Sequence, residues 1–207
     1  EFSGNTTTLK YGNFYSWLNS VIKHREDLIS KANTKLILSK LSKMKRTGTT
    51  TIGAISSYSF DLDACVKSPL NKVFFCEVIG TKGDMIDTLF ADFKDRLNIA
   101  KKYKSANFIP AIAIHSPYSV HPFLVRETLK LAREENLPVT SHFLESREEF
   151  EWLHKDEGAF VEFFKNFLGQ EQSVTKPMEF LNLFSNIKNL SFTHCVEASS
   201  DDFDKIK

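Results

Sequence analysis

Five short runs of mainly apolar, β-branched and aromatic residues alternate with helical patterns along this chain. They cover residues 49–55, 72–80, 108–114, 137–143 and 190–193. Runs with so few polar interior positions are typical of strands that are buried on both faces of a sheet. Strands separated by helices pair in parallel through right-handed crossovers. The sequence therefore predicts an α/β fold, either an open doubly wound sheet or part of a (β/α)8 barrel.

The overall composition shows no charge or membrane signature. The 207 residues suffice for one large domain, and 27 Lys plus Arg nearly balance 26 Asp plus Glu. We therefore expect neither a nucleic acid nor a membrane as a partner, also because no apolar run approaches the ~20 residues of a membrane span. The 3 cysteines form neither a CxxC pair nor a disulfide framework. That usage suits a reducing compartment, so we expect a cytoplasmic protein.

Three of the predicted strands end on a histidine. These residues are His115, His142 and His194, and Glu145 follows His142 in a His-x-x-Glu pattern. Because the carboxyl ends of parallel strands share one edge, we expect these side chains to meet there. A neutral imidazole is a good ligand for zinc or ferrous iron, and a nearby carboxylate can carry a proton from water to a leaving amine. The pattern indicates a hydrolytic metal site.

Each of these residues also has an ordinary structural interpretation. His142 can bond to backbone at a strand end while Glu145 caps the next helix, and His194 can be a satisfied buried histidine. His115 precedes a Ser-Pro-Tyr-Ser turn, where it either orients a polar group of a substrate or stabilises the turn. Glu77 lies inside a predicted strand and is a candidate pocket residue, since a buried carboxylate needs a partner. Three histidines at strand ends nevertheless favour a functional site.

Several motifs, in order along the chain, resemble those of the amidohydrolase superfamily. They are residues 48–53 (GTTTIG) for its second strand, 115–119 (HSPYS) after its fourth, 138–146 (PVTSHFLES) for its fifth and 193–195 (THC) for its sixth. The start of the chain, residues 1–3 together with the helix that contains Trp17 and Leu18, resembles the segment just after the family's first-strand His-x-His. The likeness spans essentially the whole chain. It is greatest to the branch of triazine hydrolases and nucleoside deaminases, and within it to aminofutalosine deaminases of menaquinone biosynthesis.

The resemblance implies a partial TIM barrel, about strands two to six of a (β/α)8 fold, with a divalent metal, zinc or ferrous iron. It implies His142 as a metal ligand and Glu145 as the proton shuttle. It also implies His194 as a second catalytic histidine that ligates or lies near the metal, and His115 as a substrate contact. The implied reaction is attack of metal-bound hydroxide on an adenine-type base, with release of ammonia and aminofutalosine as the expected substrate. The alternatives are a chlorohydrolase or other ring hydrolase of this family, and a non-catalytic α/β ligand-binding module.

The chain also departs from the family pattern. We expect residues 1–207 to be a single segment of the catalytic barrel, without the first-strand His-x-His, the eighth-strand aspartate and the small β-domain. Because a tight zinc site needs three or four protein ligands, we expect this segment alone to bind metal weakly and not to turn over. Its barrel edge is expected to be open, which invites association, so a homo-oligomer is a further expectation.

Overall fold

The structure, a computed structural model, describes residues 14–207, so the family-like start at residues 1–3 lies outside the described residues. The strands are β1 (Thr51–Ser56), β2 (Asn71–Val78), β3 (Phe108–Ile114), β4 (Val139–Phe143) and β5 (Leu190–His194). The helices are α1 (Phe14–Lys31), α2 (Thr34–Arg46), α3 (Leu62–Lys67), α4 (Ile86–Lys101), α5 (Pro122–Glu135), α6 (Arg147–Lys155), α7 (Ala159–Leu168), α8 (Pro177–Leu183) and α9 (Ser200–Ile206). Among the helices of this range, none is long and apolar enough to cross a membrane. Each predicted strand is present, with bounds that shift by two residues or fewer.

All five strands form one parallel sheet in the order β1-β2-β3-β4-β5. Each strand therefore lies beside its neighbour in sequence, and successive crossovers advance in one direction. A doubly wound sheet reverses its strand order at a switch point, whereas a barrel adds each new strand beside the last. The order decides between the two predicted architectures. The sheet is half of a barrel, as predicted for about strands two to six.

The helices on either side of β4 begin and end on residues suited to those positions. Pro122 opens α5, where its fixed φ and missing N–H suit a first turn. Ser146 precedes α6, and its hydroxyl accepts a hydrogen bond from the third residue of that helix. Asn136 and Asp156 end the two helices in the left-handed conformation, with φ of 50° and 56°. These local signals set the chain path before and after the strand that carries His142.

The core lies between the sheet and its covering helices and is rich in phenylalanine. Phe74 of β2 and Phe143 of β4 are fully buried in the same cluster as Phe93 of α4. Trp152 of α6 stacks on Phe164 of α7, with ring centroids 4.8 Å apart. Large rings of this kind fill the space between helices and sheet and contribute much of the buried apolar surface. This packing holds the strand ends in place.

Two regions differ from the predicted pattern. The apolar positions of residues 84–104 recur at helical spacing and predict one long amphipathic helix. In the structure that helix begins at Ile86, after a 3₁₀ turn, and ends at Lys101 in further turns. The outer strands are not covered on both faces as expected, since Ile55 of β1 is 43% exposed and Thr193 of β5 is also exposed. Within residues 14–207, each outer strand has a neighbour on one side only. Their exposure follows from that position.

Candidate functional site

The three strand-end histidines meet at the carboxyl edge of the sheet. His115 directly follows β3, His142 lies in β4, and His194 ends β5. The ring centroids of His115 and His142 are 5.4 Å apart, and those of His142 and His194 are 5.1 Å apart. The backbone explains this placement, because the His142 N–H donates to the His115 carbonyl (2.9 Å) and Phe143 is in register with His194. Parallel pairing thus brings together side chains that are far apart in sequence.

Glu145 lies beside the same group because the chain turns sharply after β4. Leu144 takes a left-handed φ of 47° at this turn. Glu145 Oε1 then lies 3.3 Å from His194 Nε2. Burial raises the pKa of the Glu145 carboxyl, and the neighbouring His194 opposes that rise. A carboxyl with a raised pKa beside an imidazole is suited to take up and release a proton during a reaction.

A second acidic residue completes a set of groups that can hold a cation. Glu77 of β2, His115 and His142 each offer one ligand atom, and these atoms lie within 4.8 Å of one another. Glu77 is buried and accepts a hydrogen bond from the Ser57 hydroxyl. Burial raises the pKa of Glu77, and that hydrogen bond opposes the rise. His194 adjoins this set through His142 but does not belong to it, so the structure adds His115 and Glu77 as candidate ligands.

The protonation state of the rings suits metal binding. Burial lowers the pKa of His115 to about 4. The pKa of His142 is also lowered to about 4. Burial is the largest cause, the charges of His115 and His194 act in the same direction, and the charge of Glu77 opposes them. Both imidazoles are therefore neutral at pH 7, as a metal ligand must be. Among residues 14–207, the buried His142 Nδ1 has no hydrogen-bond partner, although buried polar atoms are usually paired. These residues therefore fit a divalent metal ion.

The cation-binding set opens into a cavity of about 470 Å³. Glu77, His115 and His142 line one part of it. The wall that α1 and α7 contribute is mostly apolar and includes Leu18 and Phe163. Apolar walls with a few converging polar groups are typical of small-molecule sites. The cavity therefore suits a small molecule bound beside His115 and His142.

The three other histidines have local partners. His24 Nδ1 lies 2.8 Å from the Ser20 carbonyl oxygen, and His154 Nδ1 lies 3.0 Å from that of Phe150. The His121 ring caps the start of α5. The sequence assigns no functional role to these residues, and the structure gives each of them a place in or at the start of a helix.

The comparison with protein families agrees with this geometry. The model of the amidohydrolase family matches residues 3–203, nearly the whole chain. The chain belongs to the amidohydrolase family. The resemblance based on the four motifs is thereby confirmed, and the half-barrel is the corresponding portion of the family's (β/α)8 fold.

Relatives of this amidohydrolase match along its full length. The aminodeoxyfutalosine deaminase of a Nitratiruptor species is 46% identical over 206 residues, which cover 100% of this chain and 51% of that protein. The adenosine deaminase of Helicobacter pylori is 30% identical over 212 residues, 100% of this chain and 50% of that protein. The crystal structure of Helicobacter pylori aminofutalosine deaminase in complex with methylthio-coformycin superposes with a TM-score of 0.88 at 27% identity, covering 100% of this chain and 50% of that one. This amidohydrolase chain therefore spans about half the length of the relatives it matches.

Two side chains that support the candidate site were not identified from the sequence. Arg96 of α4 donates to the carbonyl oxygens of Glu77 (2.9 Å) and Ser56 (3.5 Å), and so ties α4 to the ends of β1 and β2. Glu149 is fully buried, accepts hydrogen bonds from two N–H groups of the turn after β4, and has a pKa that burial raises to about 7. A signal for Glu149 exists, since Ser146-x-x-Glu149 is a capping-box pattern. Arg96 has no such signal, because charged residues are ordinary on an amphipathic helix.

Proposed function

We propose that this chain is the central part of a metal-dependent aminohydrolase that releases ammonia from an adenine-type base, with aminofutalosine as substrate. The observation that carries the proposal is the group of His142, His194 and Glu145, with His142 lining a largely apolar cavity. The cavity suits a planar base, and the carboxyl–imidazole pair suits proton transfer to it. Support comes from the relatives, deaminases of aminodeoxyfutalosine and of adenosine, and from the methylthio-coformycin complex of the Helicobacter pylori enzyme.

The proposal includes a divalent metal ion, zinc or ferrous iron, with His142 and His194 as ligands. His142 supplies a neutral ring with an unpaired buried nitrogen, and Glu77 and His115 lie close enough to contribute further ligand atoms. When bound, such an ion lowers the pKa of water enough to supply a nucleophile near neutral pH. With His142 and His194 as its only ligands, this chain alone binds metal weakly and does not turn over, because a tight site needs three or four protein ligands. Tight binding by this chain would indicate that Glu77 and His115 also serve as ligands.

The proton steps fall to the side chains at the strand ends. Glu145, whose pKa burial raises, takes a proton from the attacking water and delivers one to the ring nitrogen of the base. His194 lies 3.3 Å from that carboxyl and stabilises the negative charge that develops on oxygen. His115 contacts the substrate, with its Nδ1 held 2.5 Å from the Ser119 hydroxyl. The amine then takes up the second proton of the added water, the carbon–nitrogen bond breaks as the carbonyl forms, and ammonia leaves from the ring carbon.

The biological setting belongs to the same proposal. Aminofutalosine deamination places the protein in menaquinone biosynthesis, and the balanced charge and unpaired cysteines support a cytoplasmic enzyme with a small-molecule partner. The open sheet edges support a homo-oligomer if the rest of the protein leaves them uncovered.

The first test is ammonia release from aminofutalosine by the full-length protein purified with its metal. We expect release by the wild type and loss of release in His142→Ala, together with loss of bound metal. His154→Ala is the matched control, because His154 stacks on Phe150 within α6 and has no part in the strand-end group. A folded, metal-loaded wild type that releases no ammonia refutes the deaminase proposal.

The same protein separates the alternative functions. Release of chloride from chlorinated ring compounds in place of ammonia supports a chlorohydrolase of the same family. Ligand affinity that survives complete removal of metal, with no turnover, supports a non-catalytic binding module. Either result leaves the half-barrel unchanged and reassigns its strand-end residues.

A further inference from the structure

The turn between β4 and α6 sets the position of Glu145. Leu144 is left-handed in this turn, with a φ of 47°, a conformation that branched and bulky side chains rarely adopt. A non-glycine residue persists there only when its surroundings hold it. The groups that hold this turn therefore control where the Glu145 carboxyl lies relative to His194.

Glu149 accepts hydrogen bonds from both N–H groups of this turn. Its side chain is fully buried, Oε1 accepts from the Leu144 N–H (3.1 Å), and Oε2 accepts from the Glu145 N–H (2.8 Å). We propose that Glu149 is a positioning residue that fixes the Glu145 carboxyl beside His194 and thereby sets the rate of proton transfer. The inference rests on the proposed deaminase function for its catalytic consequence. Its structural part, the hold on the turn, stands apart from any substrate.

Glu149 differs from an ordinary capping residue of this chain. In a capping box, the acidic residue at the third helical position bonds to the backbone N–H of the N-cap residue. Glu179 does so at the start of α8, where it accepts from the Lys176 N–H (3.1 Å), and Asp202 does so at α9, where it accepts from the Ser199 N–H (2.9 Å). Glu149 occupies the same position in α6. Its carboxylate instead bonds to the N–H groups of the two residues before the N-cap, and so holds the turn itself.

The carbonyl groups of the turn are tied to the segment after β5. The Cys195 N–H donates to the Phe143 carbonyl oxygen (2.8 Å), and the Glu197 N–H donates to the Leu144 carbonyl oxygen (3.1 Å). His194 itself is left-handed, with a φ of 75°. The turn that bears Glu145 and the segment that follows His194 therefore form one bonded unit. Glu149 completes that unit, since its two oxygens accept the N–H groups of the same turn.

A carboxyl group can make both bonds, because each of its two oxygens has a lone pair for one N–H group. A glutamine keeps one oxygen acceptor but places an NH₂ group, which is a donor, against the second N–H. An alanine removes both acceptors and leaves two buried donors unpaired, which is costly. A small displacement of a proton-transfer group lowers the rate much more than it lowers substrate binding. The expected signature of a change at Glu149 is therefore a fall in kcat at constant KM.

The test compares the full-length wild type with Glu149→Gln and Glu149→Ala in ammonia release and in backbone hydrogen exchange. We expect kcat to fall about 10- to 100-fold in both variants, more in the alanine variant, with KM and bound metal unchanged. We expect the Leu144 and Glu145 amides to exchange faster with solvent in the same variants. The control is Asp202→Asn, a buried capping-box acid at the same helical position, which should leave kcat and these two amides unchanged.

Two results would overturn the inference. One is wild-type kcat in a folded Glu149→Ala or, if that variant does not fold, in Glu149→Gln. The other is unchanged protection of the Leu144 and Glu145 amides in either variant, which refutes the hold on the turn whatever the substrate is. Absence of ammonia release from the wild type refutes the proposed function instead, and the amide exchange still decides the structural part.

Discussion

Replacing Glu149 by glutamine should remove a cost of folding that grows with pH. Burial raises the pKa of this carboxyl from 4.5 to about 7 in the folded protein. Between these two values the folded state keeps a proton that the unfolded state has released, so the free energy of unfolding falls as pH rises. At about 1.4 kcal/mol per pKa unit, the rise from 4.5 to about 7 corresponds to roughly 3 kcal/mol. Solvent does not screen this carboxyl directly, because its side chain is fully buried.

Urea unfolding of the metal-free full-length protein between about pH 4.5 and 8 measures this cost. Metal is removed because its binding adds a pH dependence of its own. Relative to Glu149→Gln, which has no carboxyl to titrate, the wild type should lose roughly 3 kcal/mol up to about pH 7 and nothing further above it. Glu179→Gln, at an exposed capping residue, should follow the wild-type profile. Parallel profiles for the wild type and Glu149→Gln would refute the assignment of a buried, proton-holding carboxyl.

Three further predictions concern the core, the α6 cap and the metal. Phe143→Ala should lower the free energy of unfolding by about 3–5 kcal/mol, because it empties a fully buried site. Phe167→Ala, at a side chain that is 59% exposed, should change the free energy of unfolding by less than about 0.5 kcal/mol. Equal losses for the two variants in urea unfolding would contradict the packing. Ser146→Ala should cost about 1 kcal/mol, measured by thermal unfolding, because its hydroxyl accepts the Glu149 N–H at 3.3 Å; an unchanged midpoint would argue against this cap. Dialysis against a chelator should abolish ammonia release, and added zinc or ferrous iron should restore it; release that persists without metal would contradict the proposed mechanism.

The strand pattern is readable from the sequence because burial excludes polar side chains locally. β3 appears with its predicted bounds, since an apolar run is a local signal. The exposure of β1 and β5 is not readable in this way. Whether a strand is central or at an edge depends on which neighbours it has, and neighbours come from distant parts of the chain.

Part of the candidate site can likewise be predicted from local sequence, and part depends on contacts between distant segments. The strand ends place His115, His142 and His194 at one edge as soon as parallel pairing is assumed, and Glu145 follows His142 closely enough to share it. The 4.8 Å grouping that adds Glu77 to two of these histidines depends on the register between β2 and its neighbours. A strand residue at that position can be buried for many reasons, so its type alone does not reveal the grouping.

By itself, therefore, the sequence determined the alternation of strands and helices and the chemistry offered at the strand ends, because both depend on residues within a few positions of one another. The tertiary structure alone decided that the strands follow one another as a half-barrel, that Glu77 joins the histidines, and that Glu149 bonds to the turn of Glu145 instead of its own N-cap. These features depend on distances and directions between parts of the chain that meet only after folding. A local pattern specifies which groups are available, and packing specifies which of them touch.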